Sequence, residues 1–440
     1  MFGGRQLVEN ILAQAKKAAE EAEVFLVSAE ETPVRFEANR LKHIQSKQST
    51  SVALRIIKDG RLGYATGTDV GDIQGLVENA LETARFGTKA KFELPPATPY
   101  PQVEIFDPDV ESVSVEKMAQ LGEELIALIT EHTPEIICEA VVEKETIALR
   151  IMNSRGGQAS YKQSIFSIGV VGNLTRGTDM LFVGEGQSSG HPLTEVGEIA
   201  KVVLRQLDLA KNQASAPTKQ LPVIFTPEGV ASALLSPLMA AFNGKTVLEG
   251  VSPIGQKLGK QVFDTKLSLW DDPTIAYRPH SRPCDDEGVP SQRTPLIEKG
   301  VVASFLYDLQ TAALANTKST GNASRGGGLP LPSPSTLVIA PGKASFDDMV
   351  GDIKEGLVIE QLMGAEQGNI LGGDFSGNVL LGYKIESGKI VGRVKNTMVS
   401  GNVYQLLKEI SAIGSQPKWV SGVVNTPPLY CPRLSVASKE

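Results

Sequence analysis

Four histidines are the only imidazoles in this 440-residue chain, and their spacing limits the chemistry open to it. A zinc-binding helix needs two histidines one turn apart, so that both rings face a single ion. His43, His132, His191 and His280 are too scattered for any two to share a helical turn. Phosphate-binding loops fail on spacing as well. Gly244-Lys245-Thr246 has the ending of a P-loop, but the position that should carry its first glycine is Met239. Gly184-Glu185-Gly186 is followed by Gly190, one place too late for the dinucleotide fingerprint. In Gly373-Asp374-Phe375-Ser376-Gly377 the serine is one place late for a nucleophile elbow.

The densest polar cluster is His280-Ser281-Arg282-Pro283-Cys284-Asp285-Asp286-Glu287-Gly288. Three carboxylates beside a thiol and an imidazole could bind a hard cation or supply a general base. On a strand, Asp285 and Asp286 would point to opposite faces, so both could serve one ion only from a loop. The plainer expectation is a solvated turn entering a strand near Pro295. A Ser/Thr-Gly-Asn triplet recurs at Thr320-Gly321-Asn322, Ser376-Gly377-Asn378 and Ser400-Gly401-Asn402. Gly and Asn tolerate positive φ, so three similar tight turns are expected.

Composition excludes whole classes of function. Hydrophobic residues make up 41% and charged residues 21%, the balance of a folded globular chain. The formal net charge of −7 is the wrong sign for a nucleic-acid binder, which needs clustered Lys and Arg. Cys138, Cys284 and Cys431 are odd in number and far apart, which points to a reducing compartment and no disulfide framework. The N-terminus reads as an amphipathic helix and not as a signal peptide, and no stretch approaches the roughly 18 apolar residues of a membrane span. A cytoplasmic protein with no membrane or nucleic-acid partner is the expectation.

The elements that would position any site fall into two groups. Helices are expected over Gln6–Glu23, Val70–Phe86 (capped by Asp69), Val115–Ile129 (capped by Ser114) and Glu195–Ala210. Strands are expected at 24–28, 34–38, 51–57, 62–66, 136–142, 146–152, 158–171 and 178–184. A Pro-rich connector spans Thr88–Pro108, and the polar run Asn212–Gln220 marks the main boundary. The expected class is α+β: a mixed helix and antiparallel-sheet domain over residues 1–215 and a β-rich domain over 216–440. The second opens with a strand at Leu221–Phe225 and a helix after Thr226-Pro227-Glu228, which supplies an N-cap, a first-turn proline and an acid. Pro237 should kink that helix. Further strands are expected at 294–298, 301–308, 336–340, 358–362, 379–386 and 389–396.

Phe263–Arg325, with CDDEGVPSQRTPLIEKGVV and GNASRG, resembles the core of the TldD/PmbA family. Gly372–Leu407, with GGDFSGNVLLGYKIESGKI and VSGNVYQLL, does so too, as does ANRLKHIQSKQSTSVALRIIKDGRLGYA near the start. The resemblance covers nearly the whole chain. It implies one of two subunit types: TldD-like subunits carry a His-Glu-x-x-x-His zinc motif on a helix opening the C-terminal domain, and TldE (PmbA)-like subunits share the fold without it. The two types form a heterodimeric metallopeptidase linked to leader-peptide trimming and peptide degradation; an older family label is modulator of DNA gyrase. The matching helix here, Pro227–Asn243, has no histidine, and its only acid is Glu228. The chain therefore resembles the TldE type, with no catalytic, cofactor or metal residue to carry over. The implied role is a non-catalytic wall of a peptide cleft, with zinc supplied by a TldD-like partner and a homodimer possible in isolation. Asp285, Asp286, Glu287 and Arg293 are the expected cleft-side residues. The alternatives are an independent metal-dependent hydrolase built on His280, Asp285 and Glu287, and a peptide-binding assembly protein with no hydrolytic role.

Overall fold

Long alternating strands dominate the first half of the chain. The computed structural model describes residues 2–439. Strands β1 (Glu21–Glu37), β2 (Arg40–Ile44), β3 (Lys47–Lys58), β4 (Arg61–Gly67), β5 (Ile137–Asn153), β6 (Gln158–Arg176) and β7 (Asp179–Ser189) make one antiparallel sheet. Its order is β4-β3-β1-β5-β6-β7, with β2 beside the end of β1. Helices α1 (Phe2–Ala15), α2 (Ile73–Ala84), α3 (Pro108–Ser112), α4 (Val115–His132) and α5 (Gly197–Leu209) punctuate it.

The even-numbered residues of β1 explain where the helices sit. Ala22, Val24 and Leu26 join Val8 and Ile11 of α1 and Leu76 and Ala80 of α2 in one core. Further along the same face, Val34 and Phe36 meet Leu121 and Leu125 of α4, in a core that also takes in Val203 of α5. Helices therefore cover one face. The other face divides in two: at one end Phe25, Leu149 and Ile151 pack against Cys284 from the second half of the chain. At the opposite end it is open.

Several expected boundaries move for identifiable reasons. The first helix stops at Ala15, because Ala22 and Val24 alternate with Glu23 and Phe25 to opposite sheet faces, which only a strand allows. β1 runs straight through Pro33, which falls between the last β3 pair (Glu31↔Lys47) and the first β2 pair (Val34↔Ile44), where that side of the strand has no partner. The two strands expected within 136–152 are the single β5. Asp72, not Asp69, caps α2 by accepting from the Gly75 amide; Ser114 caps α4 as expected.

The second half is β-rich, and the fold as a whole is α+β. β8 (Gln213–Ala214) and β9 (Lys219–Phe225) join an eight-stranded sheet with the strands Glu355–Met363, Asp374–Glu386, Lys389–Val394, Thr397–Asn402, Ala412–Ile413 and Leu429–Ser438. A smaller sheet includes Leu269–Asp271, Thr294–Glu298, Leu337–Ile339, Lys418–Val420 and Val424–Thr426. The segment 301–308 is strand only at Val301–Val302. The helix after β9 is broken into α6 (Pro227–Ala233) and α7 (Leu235–Phe242). Pro237 has no N–H for the Ala233 carbonyl one turn earlier, so the interruption falls at Leu234 and not at the proline itself. Two of the three Ser/Thr-Gly-Asn triplets are not turns. Ser376 and Ser400 face each other on neighbouring strands, and of the three glycines only Gly321 adopts positive φ.

Candidate functional site

The segment expected to be a solvated turn is buried. Asp285 and Glu287 are 0% and 1% exposed, because residues 283–288 press onto the half-covered end of the sheet. Asp285 Oδ1 accepts the amides of Glu287 and Val289 at 2.9 Å each, and Oδ2 accepts that of Ala323 at 3.0 Å. Glu287 pairs with Arg55 of β3 and accepts the Leu309 amide at 2.7 Å. Arg55 also pairs with Glu23 of β1 at 3.0 Å, and Arg325 closes on Glu23 from the other side. Burial opposes the charge on Arg55, but Glu23 and Glu287 outweigh it and hold its pKa above the usual range. Burial, then repulsion from Glu287, pushes the carboxyls of Asp285 and Asp308 well above the ordinary carboxylate range. The Arg55–Glu287 and Arg325–Glu23 pairs join the two halves of the chain.

The other residues singled out from the sequence are equally engaged. Asp286 pairs with Arg282 at 3.0 Å and accepts the Arg325 amide at 2.7 Å. Arg293 is exposed, its guanidinium 3.9 Å over the Trp270 ring. His280 is exposed, its ring Nδ1 lies 3.3 Å from the Ser335 carbonyl, and partial desolvation of the ring lowers its pKa. The remaining histidines sit apart, beside Gln45, Asp208 and Asp107 respectively. Among the described residues, no group of three or more His, Cys, Asp or Glu is arranged to hold a metal ion. Asp285 and Glu287 are therefore buried and enclosed by bonds to their own chain, Asp285 within the second half and Glu287 reaching Arg55 of the first.

The open end of the sheet forms a better site. A groove of 510 Å³ lies between the uncovered face of β5, β6 and β7 and the second half, lined by Glu139, Val141, Gly169, Glu185, Glu228 and Val420 among others. Glu228 comes from the first turn of α6, which Thr226 caps by accepting from the Gly229 amide. Beside it stands Lys418, whose Nζ lies 2.6 Å from Glu185 Oε2 and 2.8 Å from Glu228 Oε1. Burial disfavours the Lys418 ammonium, but Glu228 and Glu185 more than offset it and raise its pKa. Glu185 is raised by burial despite that partner. Behind them Glu360 is buried and accepts from Gln206 Nε2 at 3.0 Å, and burial followed by Glu228 pushes it up to about 7. Gln206 of α5 also bonds both the N–H and the C=O of Gly184.

None of Glu185, Lys418, Glu360 or Gln206 carried a signal in the sequence. Glu228 stood out only as a first-turn acid. Lys418→Met should cost about 2–3 kcal/mol at pH 8, because Glu185, 4% exposed, would keep a buried charge without its partner. Urea unfolding should show a smaller loss at pH 5, where Glu185 can take up a proton, and Lys418→Arg should restore most of it. Equal losses at both pH values would remove the ion pair from the explanation.

Residues 218–438 match the PmbA/TldA metallopeptidase C-terminal domain and residues 22–84 match PmbA/TldA metallopeptidase domain 1. An uncharacterised protein of Methanocaldococcus jannaschii is 29% identical over 411 residues, covering 91% of this chain and 93% of that protein. A metalloprotease PmbA homolog of Haemophilus influenzae is 25% identical over 427 residues, covering 93% and 90%. The crystal structure of TldE from Thermococcus kodakarensis superposes with a TM-score of 0.87 at 22% identity, covering 98% of this chain and all of that one, a likeness of fold.

Proposed function

The chain belongs to the PmbA/TldA metallopeptidase family, and from that premise we propose that it serves as the non-catalytic, TldE/PmbA-type subunit of a two-subunit peptidase. A TldD-type partner supplies the zinc, and this chain forms one wall of the peptide cleft. The observation that carries the reading is the helix pair α6–α7, where the resemblance implies a zinc motif. It offers Glu228 and no histidine. A zinc centre takes three or four nitrogen, sulfur or oxygen ligands around one point. Here two carboxylates converge on the Lys418 ammonium, and a lysine is a cation in its own right and cannot ligate while charged. The donor set does not fit zinc.

The alternative of an independent hydrolase at His280, Asp285 and Glu287 gains no support from geometry. Asp285 and Glu287 are enclosed by amides and Arg55, and His280 bonds a backbone carbonyl. The three buried thiols suit a reducing, cytoplasmic setting. A homodimer in isolation would use the surface meant for the sister subunit.

Mixing the purified chain with a TldD-type protein tests the reading. Co-elution is expected, with cleavage of an unstructured peptide by the mixture and none by this chain alone. Stoichiometric transition metal and peptide cleavage in the isolated chain would overturn it. Absence of both co-elution and cleavage would leave the assembly-protein alternative standing in its place.

A further inference from the structure

Within the groove, and resting on the reading above, we propose that this chain selects extended peptide segments carrying Lys or Arg side chains. The floor is the uncovered sheet face. Cross-strand pairing sets Val141, Gly169 and Gly186 in one row, Glu139, Val171 and Gly184 in the next, and Ile137, Asn173 and Phe182 in the third. Directly opposed residues share a face, so these rows make one continuous surface. Ile137 and Val171 stand 55% and 54% exposed on it, unusual for large apolar side chains on two adjacent interior strands.

The glycines sharpen the inference. A Cβ at Gly169 would meet nothing closer than 3.9 Å, and one at Gly186 nothing closer than 3.5 Å. Both have φ outside the left-handed region. Neither packing nor backbone geometry within the chain calls for glycine at these two positions. What their bare Cα atoms do is leave a shallow lane where another main chain can lie close to the sheet.

Charge selects what lies there. The groove is lined by Glu37, Glu139, Glu185 and Glu228 against one cation, Arg35. Lys418 engages Glu185 and Glu228 from behind; the exposed Glu37 and Glu139 share their end of the face with Arg35 and with Arg40, which stands directly opposite Glu37 on β2, and the excess of acid comes from the carboxylates beyond them. Farther along the same face Glu31, Glu143 and Glu145 follow; burial and then their neighbours' charge raise the pKa values of Glu143 and Glu145. An apolar, glycine-floored lane edged by carboxylates is complementary to an extended segment of mixed apolar and basic residues, and repels an acidic one.

The test uses the full-length chain and fluorescence anisotropy. The probe is a labelled unstructured Gly/Ser/Val peptide interspersed with Lys, beside its Glu- and Ser-substituted counterparts. The Lys peptide should bind at least ten-fold more tightly than the Glu peptide, and added salt should narrow the gap. Glu37→Lys combined with Glu139→Lys should abolish or invert the preference, and Gly169→Val should weaken binding of the Lys and Ser peptides alike. Equal affinity for all three peptides, no binding at all, or a preference untouched by the charge reversal would overturn the proposal. Co-elution with a TldD-type partner is read separately, so basic selectivity can fail while the subunit reading stands, and the reverse.

Discussion

Arg55→Met should destabilise the chain by about 3–5 kcal/mol, the range for removing one partner of a buried ion pair. Arg55 is 2% exposed, and its two carboxylate partners, Glu23 and Glu287, are 0% and 1% exposed. The substitution leaves Glu287 with one backbone amide as its remaining hydrogen bond and leaves Glu23 dependent on Arg325 alone. Because Glu23 lies on β1 and Glu287 in the 283–288 segment, the damage falls on the contact between the two halves. Urea unfolding should show the loss, and limited proteolysis should open the chain there first. Arg55→Met combined with Glu287→Met should recover a large part of it, since the orphaned charge is then gone. A single variant within about 1 kcal/mol of the parent would sink the claim that this network holds the halves together.

Glu360→Gln should do the opposite, by an amount that grows as pH rises from about 4 and levels off above about 7. In the folded chain Glu360 is pushed up to about 7, first by burial and then by Glu228, with Arg205, Gln206 and Lys418 pulling the other way. In the unfolded chain it titrates near the ordinary value of about 4.3. Between those values the folded state holds a proton that the unfolded state has released, so stability from this group is complete below about 4 and is lost as pH rises through 7. Glutamine is permanently neutral and can still accept from Gln206 through its carbonyl. At pH 8 the variant should therefore be the more stable by up to roughly 3 kcal/mol, with little difference at pH 4. Asp285 and Asp308 are raised in the same direction, so the parent itself should weaken as pH rises from about 4 to about 7; the variant-minus-parent difference isolates Glu360. A difference of the same size at both pH values would show that Glu360 is charged throughout.

Local signals carried a good part of the architecture. The 3.6-residue apolar spacing of Met118, Leu125 and Ile129 and the Ser114 cap were enough to locate α4, because a helix writes its buried face within a few turns of its own sequence. Thr226-Pro227-Glu228 likewise marked the start of α6. The absence of paired histidines was also a matter of the chain alone, since a zinc helix needs both within one turn. Where the local rule was incomplete, neighbours decided: β1 crosses Pro33 because that side of the strand has no partner, and Ser376 and Ser400 sit in strands because each has the other to pair with. The groups that shape the candidate site were the least legible. Glu185, Glu228 and Lys418 lie far apart in the chain and carry no spacing pattern, and Asp285 and Glu287 look like surface acids until β1 and β3 close over them. Backbone geometry and side-chain alternation act over a few residues and can be read along a sequence. Whether a charge is solvated or buried depends on what the fold brings to it from elsewhere, and only the tertiary structure decides that.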